Sequence, residues 1–379
     1  MTTDKSRRRF IGGALAGALG AHLSTELSAA TATPRRGARA ADDAPTRQAM
    51  QPFGFVIHGG AGTILRERMT PERESAIRAK LTEALTAGHA ILKRDGAGLD
   101  AVVAAITLLE DSPLFNAGKG AVFTAEGTNE LDASIMEGRT RKAGAVAGLK
   151  RIKNPILLAR LVMEQSPHVL MAREGAETFA REKGVELVDP KYFYTEDRWQ
   201  ELQRKKQEER DKEKSATPKK SALLRESSPR VAPPGAAFAD EDKFGTVGAV
   251  CLDAAGNLSA GTSTGGMTNK RFGRIGDSPV IGAGTYADNQ TCAVSCTGDG
   301  EYFIRASVAH EVASLMRYAG KSLKEAAETA LAEAKTLGGG GGLIAIDRRG
   351  NFATPFNTAG MYRGWIGPDG KPTVQIYAE

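Results

Sequence analysis

A glycine followed by a threonine that opens an apolar run, Gly245-Thr246-Val247-Gly248-Ala249-Val250, divides this chain into two unlike parts. Upstream of it lies a charged, proline-dotted segment. Downstream, the chain is dense in Gly, Thr, Asn and Asp. Such a junction suits a chain that cuts itself between Gly245 and Thr246. The new N-terminal Thr246 would carry a nucleophile in its hydroxyl and a base in its own α-amine. A Gly-Thr pair by itself also marks an ordinary strand start, so the reading depends on its surroundings.

The first forty residues account for the basic balance. Ser6-Arg7-Arg8-Arg9-Phe10-Ile11, followed by a Gly/Ala/Leu run from Gly12 to about Leu23, reads as a twin-arginine export signal, which predicts a periplasmic or secreted protein. The apolar run is too short and too rich in glycine for a membrane span. Small-x-small cleavage positions occur at Ala38-Arg39-Ala40, Ala30-Thr31-Ala32 and Ser28-Ala29-Ala30. The whole chain carries +6; residues 1–40 hold seven basic and two acidic side chains, net +5, which leaves +1 for the remainder. The basic excess therefore points to export, and not to nucleic acid. Three cysteines, Cys251, Cys292 and Cys296, are too few for a disulfide framework. Residues four apart on a strand lie too far apart to bridge, so buried free thiols are expected.

Beyond Pro52 the chain is long enough for one large domain. Phe53–Ile57 reads as a buried strand entering a His58-Gly59-Gly60-Ala61-Gly62 turn. Thr70-Pro71 caps and opens a helix that places Ile77, Leu81, Leu85 and Ile91 or Leu92 on one face. A helix over about Leu99–Leu109, strands near Leu131–Met136 and Ala143–Leu149, and helices over about Pro155–Gln165 and Ala172–Lys183 complete the first half. Residues 195–230 hold eleven basic and eight acidic side chains with almost no apolar periodicity. The pairs Glu201/Lys205 and Glu208/Lys212 have helical spacing, but the composition reads as a charged flexible linker extending over 195–242. After Thr246, strands are expected through Leu258–Ser263, Pro279–Tyr286 and Cys292–Thr297. Helices follow over about Glu301–Tyr318 and Ser322–Leu337, then a hairpin of Gly342–Asp347 with Asn351–Phe356 and a last strand near Val374–Tyr377. Strands and helices fall in blocks, which favours layered sheets with helices outside over a doubly wound parallel sheet. The sequence holds no dinucleotide or P-loop fingerprint, and no organic cofactor is expected.

Four ordered motifs narrow the chemistry: Gly245–Val250; Thr262-Ser263-Thr264-Gly265-Gly266-Met267; Gly273-Arg274-Ile275-Gly276-Asp277-Ser278-Pro279; and Ser295-Cys296-Thr297-Gly298-Asp299-Gly300-Glu301. Together they resemble the plant-type L-asparaginases, or isoaspartyl peptidases, a family of N-terminal-nucleophile hydrolases. The resemblance covers nearly all of residues 53–379 except the linker, and includes Pro113–Gly118, Gly338–Asp347 and Pro355–Tyr362.

It implies an α+β fold, a four-layer αββα sandwich, matured into an α chain ending at Gly245 and a β chain starting at Thr246, with pairs of such units forming a dimer. It implies hydrolysis of isoaspartyl dipeptides and L-asparagine through an acyl-Thr246 ester. Thr264 corresponds to the threonine that orients the nucleophile, and Thr297 with the Gly298 N–H to the oxyanion donors. Arg274 and Asp277 match the groups that take the substrate's α-carboxylate and α-ammonium, with Gly300 a further acceptor and Asn116 close to the nucleophile. Leu109, Glu110, Ser112, Phe115, Ala117 and Lys119 match a main-chain sodium loop, Lys119 replacing the apolar residue usual there.

Asp299 stands where a small residue is common. Thr-Gly-Asp-Gly also occurs in glycosylasparaginases, whereas Thr264-Gly265-Gly266-Met267-Thr268-Asn269-Lys270 is of the asparaginase type. A non-catalytic binding protein on this scaffold would lack a catalytic position, and none of Thr246, Thr264, Thr297, Arg274 or Asp277 is missing.

Overall fold

The computed structural model describes residues 53–216 and 245–378. The residues expected to form an export signal and the remainder of the expected linker lie outside the described residues.

Strand β1 (Gly54–Gly62) continues through the glycines expected to form a turn. It does so because Gly60, at φ +111°, absorbs a register shift between His58 and Gly60. Helix α1 (Pro71–Leu92) starts as its sequence requires: the Thr70 side chain accepts the Arg73 N–H, Pro71 fills the first turn, and Ile77, Leu81, Leu85 and Leu92 are buried. There follow α2 (Gly98–Glu110), β2 (Leu131–Glu137), β3 (Ala143–Leu149), α3 (Pro155–Gln165), β4 (Leu170–Ala172), α4 (Arg173–Glu182) and α5 (Glu196–Ala216). Beyond the junction come β5 (Val247–Leu252), β6 (Leu258–Thr264), β7 (Thr285–Ala287), β8 (Cys292–Gly298), α6 (Gly300–Ala306), α7 (Val308–Ala319) and α8 (Leu323–Thr336). Strands β9 (Gly341–Asp347), β10 (Phe352–Ala353), β11 (Gly360–Ile366) and β12 (Thr373–Tyr377) end the fold.

Two sheets face each other. The larger runs β12-β11-β1-β5-β6-β2-β3-β4, the smaller β10-β9-β8-β7. Helices α1, α2 and α3 pack on the outer face of the large sheet, and α7 and α8 on that of the small one. The four layers are those of an αββα sandwich. Alternation along the strands sorts the side chains. Phe55 and Ile57 of β1 and Val247, Ala249 and Cys251 of β5 join the core under the helices. Val56, Val250, Leu252, Leu258 and Ala260 meet Val294, Leu343 and Ala345 between the sheets. Thr246 stands in register with Gly248 and Val250, and so faces the inter-sheet space. The three cysteines are free and buried, and burial pushes the Cys292 thiol up to about 12.

Several elements differ from expectation. The strand predicted over Pro279–Tyr286 is limited to Thr285–Ala287. The helix predicted over Glu301–Tyr318 is two helices, broken where Ser307 takes a left-handed conformation at φ +47°. The sequence reading missed β11, which pairs along β1 between it and the edge strand β12 of the large sheet.

The charged segment is the largest correction. Residues 196–216 are a helix, and its first turns are docked rather than solvated. Leu202 is fully buried, and Trp199 meets Phe123 edge-on at 5.4 Å between ring centroids. The buried Arg198 donates to the Gly120 carbonyl at 2.9 Å, Lys206 to the Ala125 carbonyl at 2.7 Å, and Thr268 to Glu201. Truncating such a fully buried leucine typically costs about 2–5 kcal/mol. Leu202→Ala is therefore expected to lower stability by that order in denaturant titration. A change under about 0.5 kcal/mol would return the segment to the status of a linker.

Candidate active site

Three strands bring the threonines together. Thr246 immediately precedes β5, Thr264 ends β6 and Thr297 lies near the end of β8. The pairing of Val247 with Ser263 sets Thr246 beside Thr264, and their hydroxyls are 3.0 Å apart. Thr264 Oγ1 also accepts the Gly266 N–H at 3.1 Å. Asn116 holds that turn: its Nδ2 donates to the Gly266 carbonyl at 2.7 Å, its backbone carbonyl accepts the Gly265 N–H, and its Oδ1 accepts the Val122 N–H. Asn116 is thus a support for the threonine pair.

Gly245 lies at the mouth of the pair. A Cβ added to it would fall 2.5 Å from Thr297 Oγ1 and 3.0 Å from Gly60 Cα, so the position admits no larger residue without displacement. Thr297 Oγ1 accepts the Ala61 N–H at 3.3 Å, which leaves its own proton to donate. Gly298 is exposed at φ +153°, and a Cβ there would lie 2.4 Å from the Gly340 carbonyl oxygen. Asp299 fixes this corner: its carboxylate accepts the Gly340 N–H at 2.9 Å. The side chain that suggested a glycosylasparaginase is engaged in holding the backbone.

Three residues beyond Thr297 a second cluster begins. A Cβ on Gly300 would lie 2.8 Å from Arg274 Nη2 and 2.9 Å from Asp277 Oδ1, so glycine opens a space where a cation and an anion converge. Asp277 is 4% exposed and its Oδ2 has no hydrogen-bond partner among the described residues. Burial pushes its carboxyl up to about 7, against the pull of Arg274. The residue paired with Arg274 is Glu301, a role the sequence reading missed. Its two oxygens accept from Nε and Nη2 at 2.8 Å each. This grip leaves the Nη1/Nη2 edge of the guanidinium as a second two-pronged donor.

The sequence reading also assigned no role to His58. It is fully buried on β1 between Thr246 and Ser295, and burial pushes it down to about 3. Its place before two glycines was a visible signal, but its partners lie 188 and 237 residues away in the chain.

The Leu109–Lys119 loop contains Asn116. The carbonyls of Leu109, Phe115 and Ala117 accept the N–H groups of Ser112, Ala117 and Gly120, and that of Leu109 also accepts the Asp111 N–H. Hard neutral oxygens of this kind suit an alkali cation. The Glu110 side chain turns away into the core, accepting from Ser263 Oγ at 2.6 Å and the Ile156 N–H at 3.1 Å. The Lys119 ammonium lies 5.5 Å from the centre of the Tyr192 ring. Among the described residues no group of three or more His, Cys, Asp or Glu side chains could hold a metal.

Comparison with known proteins identifies the family. The family described as asparaginase matches residues 50–376. A protein of Escherichia coli named isoaspartyl peptidase is 51% identical over 86% of this chain and 96% of its own length. An Arabidopsis thaliana protein named probable isoaspartyl peptidase/L-asparaginase 2 is 42% identical over 86% of this chain and 99% of its own. A Salmonella typhimurium isoaspartyl peptidase is 49% identical over 86% and 98%. A match that runs through both sheets and all four motifs leaves one conclusion: the chain belongs to the asparaginase family of N-terminal-nucleophile amidohydrolases.

Proposed function

We propose that this protein hydrolyses β-aspartyl amide bonds, in isoaspartyl dipeptides and L-asparagine, after cutting itself between Gly245 and Thr246. The observation that carries the reading is the convergence of Arg274 and Asp277 on the space left by Gly300, three residues along the chain from the Thr297 hydroxyl. A free α-carboxylate and a free α-ammonium on one carbon require such a pair of opposite charges. An amide carbonyl one methylene further on then reaches toward the threonines.

In self-cleavage, Thr246 Oγ attacks the Gly245 carbonyl carbon and the peptide C–N bond breaks. Water hydrolyses the resulting ester, leaving a Gly245 carboxylate and a free Thr246 amine. In turnover that amine, with an unperturbed pKa of roughly 8, takes the Thr246 hydroxyl proton as Oγ attacks the substrate's side-chain carbonyl. Thr297 and the Gly298 N–H receive the oxyanion, the leaving amine departs with the proton, and water hydrolyses the aspartyl ester. The Leu109–Lys119 loop is proposed to take a sodium ion through main-chain oxygens, which would tie the end of α2 to the Asn116 turn. Export by the twin-arginine route and assembly into a dimer of cleaved units belong to the same reading.

The test offers β-aspartyl-leucine, L-asparagine and N-acetylglucosaminyl-asparagine to purified protein that runs as two bands on a denaturing gel. Aspartate release from the first two is expected. Release from the third alone would overturn the substrate assignment.

The pH dependence carries a further prediction. The ammonium requires ionised Asp277, and a carboxyl held near 7 is protonated below that in the free protein. The α-amine must also be neutral. Hence log kcat/KM should fall with a slope approaching two below pH 7 in the wild type. In Asp277→Asn it should start low and fall with a slope of one. Equal slopes would remove Asp277 from substrate binding.

A further inference from the structure

Strand β1 stops supporting its neighbour too early. The β1–β5 ladder ends at His58 opposite Gly248, and beyond it β1 bulges at Gly60. On this side Thr246 lies past the last rung. Once its peptide bond is cut it is also a chain end, and ends fray unless they are tied down. A nucleophile whose base is its own α-amine tolerates little fraying, because attack requires reacting atoms held in near-contact geometry.

The tie comes from a side chain. His58 Nδ1 lies 2.9 Å from the Thr246 carbonyl oxygen and Nε2 2.9 Å from Ser295 Oγ. A carbonyl can only accept, so Nδ1 carries the proton and the neutral ring accepts at Nε2 from Ser295. That assignment fixes the remaining hydroxyls in turn. Ser295 has spent its proton, so Thr262 donates to Ser295, at 2.7 Å, in preference to the Gly284 carbonyl at 3.2 Å. Thr285 then donates to Thr262, and the line starts there, because the single proton of Ser134 goes to the Ser278 carbonyl at 2.6 Å, closer than Thr285 Oγ1 at 2.8 Å. All of these side chains are fully buried. From Thr285 through Thr262 and Ser295 to His58 each proton points toward Thr246, and each donation strengthens the next.

We propose that His58, fixed as the Nδ1–H tautomer by the Thr246 carbonyl and backed at Nε2 by this line of hydroxyls, is a positioning residue that substitutes for the missing rung of the sheet and holds the Thr246 carbonyl in place. It keeps the freed amine and hydroxyl of the N-terminal threonine in register with Thr264. The inference rests on Thr246 being the nucleophile, and its test separates the two.

The tautomer is read first, by nitrogen-15 NMR of the imidazoles in wild type and in Thr246→Ala, which keeps the carbonyl and removes the nucleophile. Both should show His58 neutral with its proton on Nδ1 from pH 8 down to pH 5. An Nε2–H ring, or protonation with a midpoint above pH 5, would overturn the proposal whatever the activity. Kinetics follow. His58→Asn places an amide N–H near the position of Nδ1–H, whereas His58→Leu offers none. His58→Leu should lose about a hundredfold in kcat with KM within twofold, the scale expected for a misplaced reacting group, and His58→Asn should recover most of it. If His58→Leu turns over like the wild type, or if folded His58→Asn is as impaired as His58→Leu, the hydrogen bond has no positioning role. Should His58→Leu not fold, Ser295→Ala, which removes the donor at Nε2, decides: kcat down at least fivefold with the ring still Nδ1–H supports the line, and unchanged kcat refutes it. An inactive wild type with an Nδ1–H ring would sink the nucleophile assignment and leave the His58 contact standing.

Discussion

Thr246→Ala is expected to run as one band spanning the Gly245–Thr246 junction and to release no measurable aspartate from β-aspartyl-leucine. The substitution removes the hydroxyl, 3.0 Å from that of Thr264, together with one methyl group, and keeps the backbone that enters β5. Both proposed reactions need that oxygen as the atom that bonds to carbon. Losing a covalent nucleophile costs on the order of 10⁴-fold or more, and the oxyanion donors alone recover little of it. Thr246→Ser keeps an oxygen in place and should cleave and turn over at reduced rates. A Thr246→Ala protein that separates into two bands, or an uncut wild type with full turnover, would end the mechanism.

The second large effect belongs to Arg274. Its Nε/Nη2 edge is gripped by Glu301, and Nη2 also borders the space beside Gly300 and Asp277. Removing a charged two-pronged contact leaves a substrate carboxylate desolvated without its partner, at about 3 kcal/mol or more. At about 1.4 kcal/mol per decade, Arg274→Ala should lower kcat/KM at least a hundredfold. Arg274→Lys should be nearly as poor, because one ammonium cannot serve Glu301 and the substrate in the same fork geometry. A substrate amidated at its α-carboxyl separates recognition from structure. It should be poor for the wild type already, and Arg274→Ala should penalise it little further. A full additional hundredfold loss with the amidated substrate would make Arg274 a structural partner of Glu301 and no more.

The parts of this molecule that were legible in its sequence are those whose causes are local. Thr70 and Pro71 mark a helix start within four residues, and the buried stripe of α1 follows from its spacing. The catalytic candidates were legible because each sits in a run of Gly and Thr that few other structures need. What stayed hidden depends on distant partners. Strand β11 carries Arg363 between glycine and aromatic residues and shows no alternation, since its placement comes from β1 some three hundred residues earlier. Helix α5 reads as linker because its docking face is small: Trp199, Leu202 and the stem of Arg198 among charges. Glu301 was in view within a motif, yet nothing in one dimension joins it to Arg274. The pairing of His58 with Ser295 crosses from one sheet to the other and leaves no periodic trace.

The close packing of Gly245 against Gly60 and the Thr297 hydroxyl carries a consequence for how this enzyme can change. On the proposed route the space that first encloses the chain's own peptide later receives every substrate, and the same hydroxyl serves both events. A substitution that reshapes this corner to admit a bulkier substrate must first pass through the protein's own maturation, and one that loosens it too far yields a precursor that never becomes an enzyme. Directed evolution for new amides would therefore succeed first at positions the junction does not touch, around Arg274 and Gly300, and fail silently at Gly60 and Thr297. On that route the molecule tests its catalytic corner once per lifetime, before any substrate arrives.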